Sequence, residues 1–549
     1  MSDLLSIGTS GILAYKRSLS TVGNNIANVD TVGYSRQIHS TEQDIGSTSA
    51  LINLGNGVLS ESVRRSYDAF ATSAYRNSNS LLEQQETLYA YANKLENIMG
   101  DANLSLTSVF DKFFASAQAL VASPASGSAR QGFLTEAKNV AERFKLISQQ
   151  FDQLDVDSAE EIGSRVDSLN SLTKQLSIIN YSLMAKSDVN NQPGGLLDQR
   201  DQLLQEISTL IKIESVEKAN GVVDVYIGNK GTGLQLLKDV TPVAVKASFS
   251  KQNSEKVELT LDPYGEAKPL GNGYGGKLAG IQDFRGNTLA NMRSRLDDIA
   301  NAFMDSVNGV QLSGLDAQGN IGKALFGVAE DVTRVAGHMQ VLLTGVDDIA
   351  TASPLIIDQN SETASLKLDS WDTSTLAVNG SIDTNITIAF TAGDEYEVRD
   401  SEGNVIERVA YQPGDKISGD GWAASVVNTP SEGDVFVIKT NNAPKGDNRN
   451  ILAMAALQTD REVFNGLGSF GEIYADVLNE LGSIVVQSSI SRDAQKVLTD
   501  EAQTTKDAAS GVSLDEEAAN LLRFQQAYQA NAQIIQTSNR LFEAILNAR

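Results

Sequence analysis

Apolar residues recur every seven positions at both ends of this chain. Near the N-terminus Leu5, Ile12, Leu19 and Ile26 form one row, with Gly8, Tyr15, Val22 and Val29 three places on. Near the C-terminus Leu514, Leu521, Tyr528, Ile535 and Phe542 repeat the pattern, flanked by Ala518, Ala532 and Leu546. A sustained seven-residue repeat predicts a helix that packs lengthwise on another helix. Both ends therefore read as coiled-coil-like helices, the first over about Ser2–Asn28.

The same spacing predicts helices over Ser66–Met99, Leu104–Ala122, much of Gln131–Lys186, and Leu196–Ile211, with Ser123-Pro124 and Gln192-Pro193-Gly194-Gly195 as breaks. The seam Tyr67, Ala74, Leu81, Leu88 and Leu95 reads as ordinary bundle core. Alternation then takes over at Val222–Ile227, Val243–Phe249 and Val257–Leu261, which predicts strands. Helical spacing returns at Leu289–Val307, and a second β-rich stretch covers about Val346–Lys439. Helices resume near Asn450 and, after a loop near Phe464–Gly471, run to the C-terminus.

These elements predict an α+β multidomain chain. Residues 1–62 and 505–549 would pair as a terminal helical, coiled-coil-like domain. Residues 63–212, 277–345 and 446–504 would form a long α-helical bundle trunk. The β-rich insertions would be a small one at 213–276 and an outer one at 346–445.

A single seam buries too little to offset the ordering of about 25 residues per end. Off-seam side chains such as Leu4, Leu13, Phe524, Ile534 and Leu541 offer further faces. The ends are therefore expected to stay disordered alone and to fold on packing into an assembly. The residues expected at that assembly interface are Leu5, Ile12, Tyr15, Leu19, Val22, Ile26, Leu514, Leu521, Phe524, Tyr528, Ile535, Leu541, Phe542 and Ile545.

Charge sharpens this picture. The net charge is -25, which speaks against nucleic acid and anionic membranes, since phosphate binding needs clustered Lys and Arg. Between Gly345 and Lys445 stand 17 acidic and 6 basic residues, a balance of -11. Leu521–Arg549 instead holds three arginines and one glutamate. An acidic middle and charge-poor ends fit a molecule whose ends are covered and whose middle faces solvent. There is no cysteine, so disulfide and thiolate chemistry are excluded. The first residues lack a basic segment followed by an apolar core, which predicts no Sec-type signal, and no apolar run has the length of a membrane span.

Catalytic motifs are scarce. Gly271–Leu278 has G-x-G-x-x-G spacing and approaches a phosphate loop, but Leu278 replaces the hydroxyl that would hold magnesium. A flexible hinge before a helix is the simpler reading. The two histidines, His39 and His338, match no zinc spacing. Asp347-Asp348 and Asp394-Glu395 read as solvated loop acids, and Asp400–Asn404 lacks calcium-ligand order. No cofactor, metal or catalytic residue is expected, and the chain is read as a non-enzyme.

Two terminal segments carry a resemblance. Asn24-Asn25-Ile26-Ala27-Asn28 with Thr31-Val32-Gly33-Tyr34-Ser35-Arg36-Gln37 resembles the N-terminal signature of bacterial flagellar rod, hook and hook-associated axial proteins. Ala518–Ala532 resembles their C-terminal signature. In the trunk, Leu196-Leu197-Asp198-Gln199-Arg200-Asp201-Gln202-Leu203-Leu204 and Gly275–Ile281 are similar to the hook-associated branch. So are Val307–Phe326 and Gly446–Ala453.

The resemblance implies a structural subunit at the hook–filament junction, extracellular and exported through the type III apparatus without a cleaved signal. It implies as partners further copies in a helical or ring layer, the hook protein, a second hook-associated junction protein, and a cytoplasmic export chaperone on the C-terminal helix. It implies terminal helices lining a tube and β domains facing outward. The hook protein itself is the alternative within the class. An axial protein whose acidic β domain binds surfaces or catalyses is the alternative from another class.

Overall fold

The computed structural model describes residues 2–45, 55–186, 192–232, 234–249, 257–262, 265–271, 273–329, 334–378, 381–382 and 384–547. Among them the helices are α1 (Ser2–Ala27), α2 (Ala69–Met99), α3 (Leu106–Ala122), α4 (Gly127–Met184), α5 (Gly194–Leu210), α6 (Gly276–Asp283), α7 (Ala290–Ser313), α8 (Val335–His338), α9 (Thr373–Leu376), α10 (Arg449–Ala456), α11 (Phe470–Ser510) and α12 (Leu514–Asn547). The α+β class and the alternation of helical trunk with β insertions stand as read from the chain. The chain folds as two units: Met1–Asn93, Asp155–Thr288 and Ile484–Arg549 in the first, Lys94–Leu154 and Leu289–Ser483 in the second.

In the first unit α1 and α12 pair with each other and with a hairpin, β1 (Gln37–Asp44) and β2 (Gly57–Arg65), antiparallel from Gln37↔Arg65 to Asp44↔Gly57. Four strands (Ile213–Glu217, Val223–Ile227, Gln235–Lys238, Thr241–Pro242) make one sheet. Three more (Val245–Phe249, Val257–Leu261, Lys268–Pro269) make a second. The alternation Val223, Val225, Ile227 points inward and packs with Leu169 and Leu176 of α4 and Ile207 of α5. Two asparagines of α4 read strand backbone directly. Asn170 donates to Val245 O and accepts from Val245 N, both at 2.9 Å. Asn180 does the same with Val223 at 2.8 and 3.2 Å.

The Gly-rich run becomes tightly packed where it enters α6. Gly275 and Gly276 hold φ of +61° and +69°, and a Cβ on Gly276 would lie 2.4 Å from the Leu210 carbonyl carbon. Glycine stands there because two backbones nearly touch. Asn272 of that run lies outside the described residues. The sequence reading also ran past α6 and the π-helical turn Phe284–Leu289 that follows it. Within that turn Arg285 is buried against Asp155 of α4, Nη2 to Oδ1 at 2.9 Å.

The second unit has an aromatic core. Phe303 of α7 stacks on Phe110 at 5.0 Å between ring centroids and meets Phe113 and Phe470 edge-on, each at 5.3 Å. The helical spacing Phe133, Ala137, Val140, Phe144, Ile147, Phe151 and Leu154 is buried throughout. Arg130, also buried, donates to Ile349 O at 3.0 Å, Thr351 Oγ1 at 2.8 Å and Pro124 O at 2.7 Å. Burial pushes this guanidinium's pKa down.

The β-rich part has a five-stranded antiparallel sheet in the order Leu355–Asn360, Val435–Thr440, Asn385–Ala392, Glu395–Arg399, Val405–Ala410. A three-stranded sheet joins it around Ile388, Phe390, Trp422 and Phe436. Trp371 Nε1 donates to Ser313 O at 2.6 Å and Thr373 Oγ1 to Leu312 O at 2.8 Å, fixing this β layer to the end of α7.

Candidate functional site

The site begins with close backbone packing. A Cβ on Gly8 would fall 2.7 Å from Ile535, and one on Gly11 would fall 2.3 Å from Asn531 Oδ1. Farther along, Tyr15 meets Phe524 at 6.1 Å, and Asn25 meets Glu517. Residue numbers rise on one helix as they fall on the other, so the pair is antiparallel. The buried residues of α1 are Gly8, Gly11, Ala14, Ser18, Thr21, Val22 and Asn25. Small side chains let the two axes approach, and the large apolar rows stand at the margins.

The residues expected at an assembly interface divide accordingly. Val22 is buried, and Ile12, Tyr15, Leu19, Ile26, Leu521, Phe524 and Ile535 are half-buried within the pair. Leu5, Leu514, Tyr528, Leu541 and Phe542 are exposed. The Ile545 side chain lies outside the described residues. Both terminal helices, Ser2–Ala27 and Leu514–Asn547, are formed and paired. The polar contacts that follow add to the seam.

The first set of contacts fixes the start of α12. Acidic residues Asp515, Glu516 and Glu517 fill its first turn, where the helix dipole favours negative charge. The Glu517 side chain is only 2% exposed. Its Oε1 accepts from Arg36 Nε at 2.8 Å and its Oε2 from Asn25 Nδ2 at 3.2 Å. Arg36 also reaches Glu516 at 2.7 Å, and its backbone N–H donates to Ser510 O at 2.9 Å.

Asn25 is used completely. Its Nδ2 also donates to Gln37 O, and its Oδ1 accepts from Gln37 N and from Tyr34 Oη, at 2.9, 2.9 and 2.8 Å. Burial, with Asp198 and Glu517 nearby, pushes the Tyr34 hydroxyl up to about 12, so it stays a donor. Asn25, Tyr34, Arg36 and Gln37 lie in the N-terminal signature, but nothing in that signature points to Glu517.

The second set joins the hairpin to α5. Asp198 and Asp201, one helical turn apart, both face Arg65 at the end of β2, at 3.2 and 2.6 Å. Arg200, 1% exposed, bonds Asp201 at 2.9 Å and Glu217 at 2.9 Å. Asp198 Oδ2 also accepts the Ser35 N–H at 3.3 Å. Arg65 stacks on Tyr67, 4.2 Å from the ring centroid. The trunk segment Leu196–Leu204 thus holds the terminal helices to the body by an alternating charge chain, in which each buried charge has an opposite neighbour.

His39 closes the third contact. Its Nδ1 lies 2.9 Å from Ser18 Oγ on α1, and its Nε2 lies 2.5 Å from Ser60 Oγ on β2. Ser60 also accepts from Arg17 at 2.8 Å. Burial first, then Arg17, lower its pKa below the ordinary histidine value. His338 has no such role; its Nδ1 meets Arg334 O at 2.9 Å. Among the described residues no three His, Cys, Asp or Glu side chains are grouped to hold a metal, and no helix is long and apolar enough to cross a membrane. The arrangement binds helix to helix and end to trunk, which is the work of a building unit.

Comparison with known proteins agrees. Residues 92–326 match the family model described as the flagellar hook-associated protein FlgK helical domain. Residues 5–34 match that of the flagella basal body rod protein, and 507–548 that of the flagellar basal body rod FlgEFG protein C-terminal. The flagellar hook-associated protein 1 of Salmonella typhimurium is 28% identical over 582 residues, and that of Escherichia coli 27% over 576, each covering 100% of both chains. The Bacillus subtilis protein of that name is 23% identical over 573 residues, covering 99% of this chain and 97% of its own. The fold is similar to that of the flagellar hook junction protein FlgK from Burkholderia pseudomallei, with a TM-score of 0.65, 19% identity, and coverage of 79% of this chain and 99% of that one.

The matches at both ends and in the helical middle are all to proteins of the flagellar axis. Among these, the chain is similar over its whole length to the flagellar hook-associated protein 1 of Salmonella typhimurium and Escherichia coli.

Proposed function

We infer that this chain is a structural subunit of the bacterial flagellum that joins hook to filament and is required for the filament to assemble. The observation that carries the reading is the terminal pair itself. Glu517 fastens its two helices together and Arg65 ties it to its own trunk, yet it leaves Leu5, Leu541 and Phe542 uncovered. Exposed apolar side chains on a charge-poor helix are surfaces for neighbours.

The finer picture rests on the family. Further copies would form a short helical or ring layer seated on the hook protein, and a second hook-associated junction protein would build on it. Before that, the chain would pass the type III export apparatus without a cleaved signal, its C-terminal helix held by a cytoplasmic chaperone. In this scheme 1–62 with 505–549 is the assembly domain, 63–212 with 277–345 and 446–504 the trunk, and 213–276 and 346–445 the insertions. The interface residues are the fourteen named from the sequence, from Leu5 to Ile545.

Removal of residues 1–28 or 521–549 tests the reading. The remaining trunk should fold and stay soluble, and cells making it should carry hooks without filaments. Normal filaments on such cells, or antibody labelling that finds the intact protein elsewhere on the flagellum, would refute it.

A further inference from the structure

The terminal pair carries a concave surface of mixed polar and apolar character and a protruding apolar one, well separated along α12. The concavity is a groove of about 440 Å³ between α1, the hairpin and the first half of α12. Tyr15, Val22, Ile38, Val58 and Phe524 form its apolar wall, and polar side chains, His39 and Asn520 among them, line the rest. Arg523 stands at its rim, over the Phe524 ring at 4.8 Å, and forms no ion pair among the described residues. A space of this size is in the range that takes a ring together with a neighbouring aliphatic group.

The protrusion is the end of α12. Gly8 lies against Ile535 and Asn531, and the helices run antiparallel, so α12 passes the start of α1 near residue 541. Its last turns therefore have no partner helix. Leu541, Phe542 and Leu546 are 45%, 57% and 60% exposed there. Glu543 stands among them without an ion pair among the described residues. From Asn520 in the groove to Phe542 the helix rises roughly 30 Å. One copy cannot fill its own groove with its own end.

We propose that the end of α12 of one copy docks in this groove of the next, with Phe542 on the Tyr15–Phe524 wall and Glu543 against Arg523. This deepens the junction reading and rests on it. The contact is heterologous, one patch meeting a different patch, so it propagates from copy to copy in a ring or helical layer. Apolar burial supplies attraction, and Arg523 meeting Glu543 fixes the register.

The chain lacks cysteine, so engineered thiols report alone. Full-length chain carrying both Ile38→Cys and Leu546→Cys is expressed in place of the native copy. Flagella are then isolated and mildly oxidised. A ladder of dimers and larger multimers of this chain is expected, absent from either single variant.

Filaments that grow normally without a ladder, although both thiols react with a maleimide, overturn the proposal while leaving the junction reading intact. A disulfide from the Ile38→Cys thiol to a different flagellar protein overturns it likewise. A second arm needs no cysteine: Arg523→Glu and Glu543→Arg should each reduce filament-bearing cells about tenfold, and the two together should restore them. Failure of the pair to restore them, with both variants folded and present at the junction, also overturns the docking.

Discussion

Replacing Glu517 by alanine removes the acid that holds Asn25 and Arg36 to the start of α12. Stripping one partner from a fully buried ion pair costs about 3–5 kcal/mol. Here Arg36 is 23% exposed and keeps Glu516, so solvent and the second acid relieve part of that, leaving about 2–3 kcal/mol. The loss falls on the opening of the terminal helices rather than on global unfolding, because the aromatic core and the Arg65 contacts are untouched.

With 1.4 kcal/mol per factor of ten, amide protection in α1 and α12 should fall roughly 30- to 140-fold. Hydrogen exchange read by mass spectrometry on the full-length chain makes the comparison, with peptides from Phe133–Leu154 as the internal reference. Those should not change. Protection in α1 and α12 that moves less than about threefold, or a loss shared equally by the reference peptides, would show that Glu517 is no lock. Glu517→Gln, which keeps an acceptor for Asn25 and loses the charge, should fall between.

Arg130→Met should cost the second unit about 3 kcal/mol by leaving the Ile349 carbonyl and Thr351 hydroxyl unpaired; a calorimetric transition lowered by roughly 6–12 °C checks it. Gly276→Ala should cost about 3 kcal/mol, because the residue needs φ of +69° and a Cβ would strike the Leu210 backbone. An unchanged urea midpoint would contradict that.

Acidification should act in two stages. The fold lowers the His39 pKa, so its stabilising contribution is complete above the unfolded value near 6.5 and fades as pH falls below it. Glu472, at the start of α11, is held down to about 2 by Arg461 and the Ser469 N–H; its contribution is complete above about 4.5 and lasts until pH nears 2. NMR titration of His39 and Glu472 tests the order, and simultaneous loss of both contacts near pH 6 would contradict it.

Period alone exposed most of the fold. A helix as long as α4 shows its buried face many times over, and Phe133–Leu154 follow that spacing without interruption. The terminal site was only half legible. The seven-residue rows pointed to the right helices, but counting large apolar residues passed over Gly11, where a Cβ would strike Asn531 of α12. Arg65, Asp201 and Glu517 were hidden for another reason. Their partners lie 136 residues away for Arg65–Asp201 and 481 for Arg36–Glu517, and no local pattern marks a charge whose counter-charge is that remote. The close approach at Gly275 and Gly276 was not legible either, because a tight approach and a loose joint share one composition.

The 492-residue separation between Asn25 and Glu517 also makes the terminal clasp a test of completeness. A chain delivered from its N-terminus presents α1 first and the residue that fastens it almost last. Until Glu517 arrives, Asn25 and Arg36 have no buried acid to meet, and the ends cannot shut. A truncated or stalled chain therefore carries an open end that no local refolding can mend, and only a finished molecule can present a closed one.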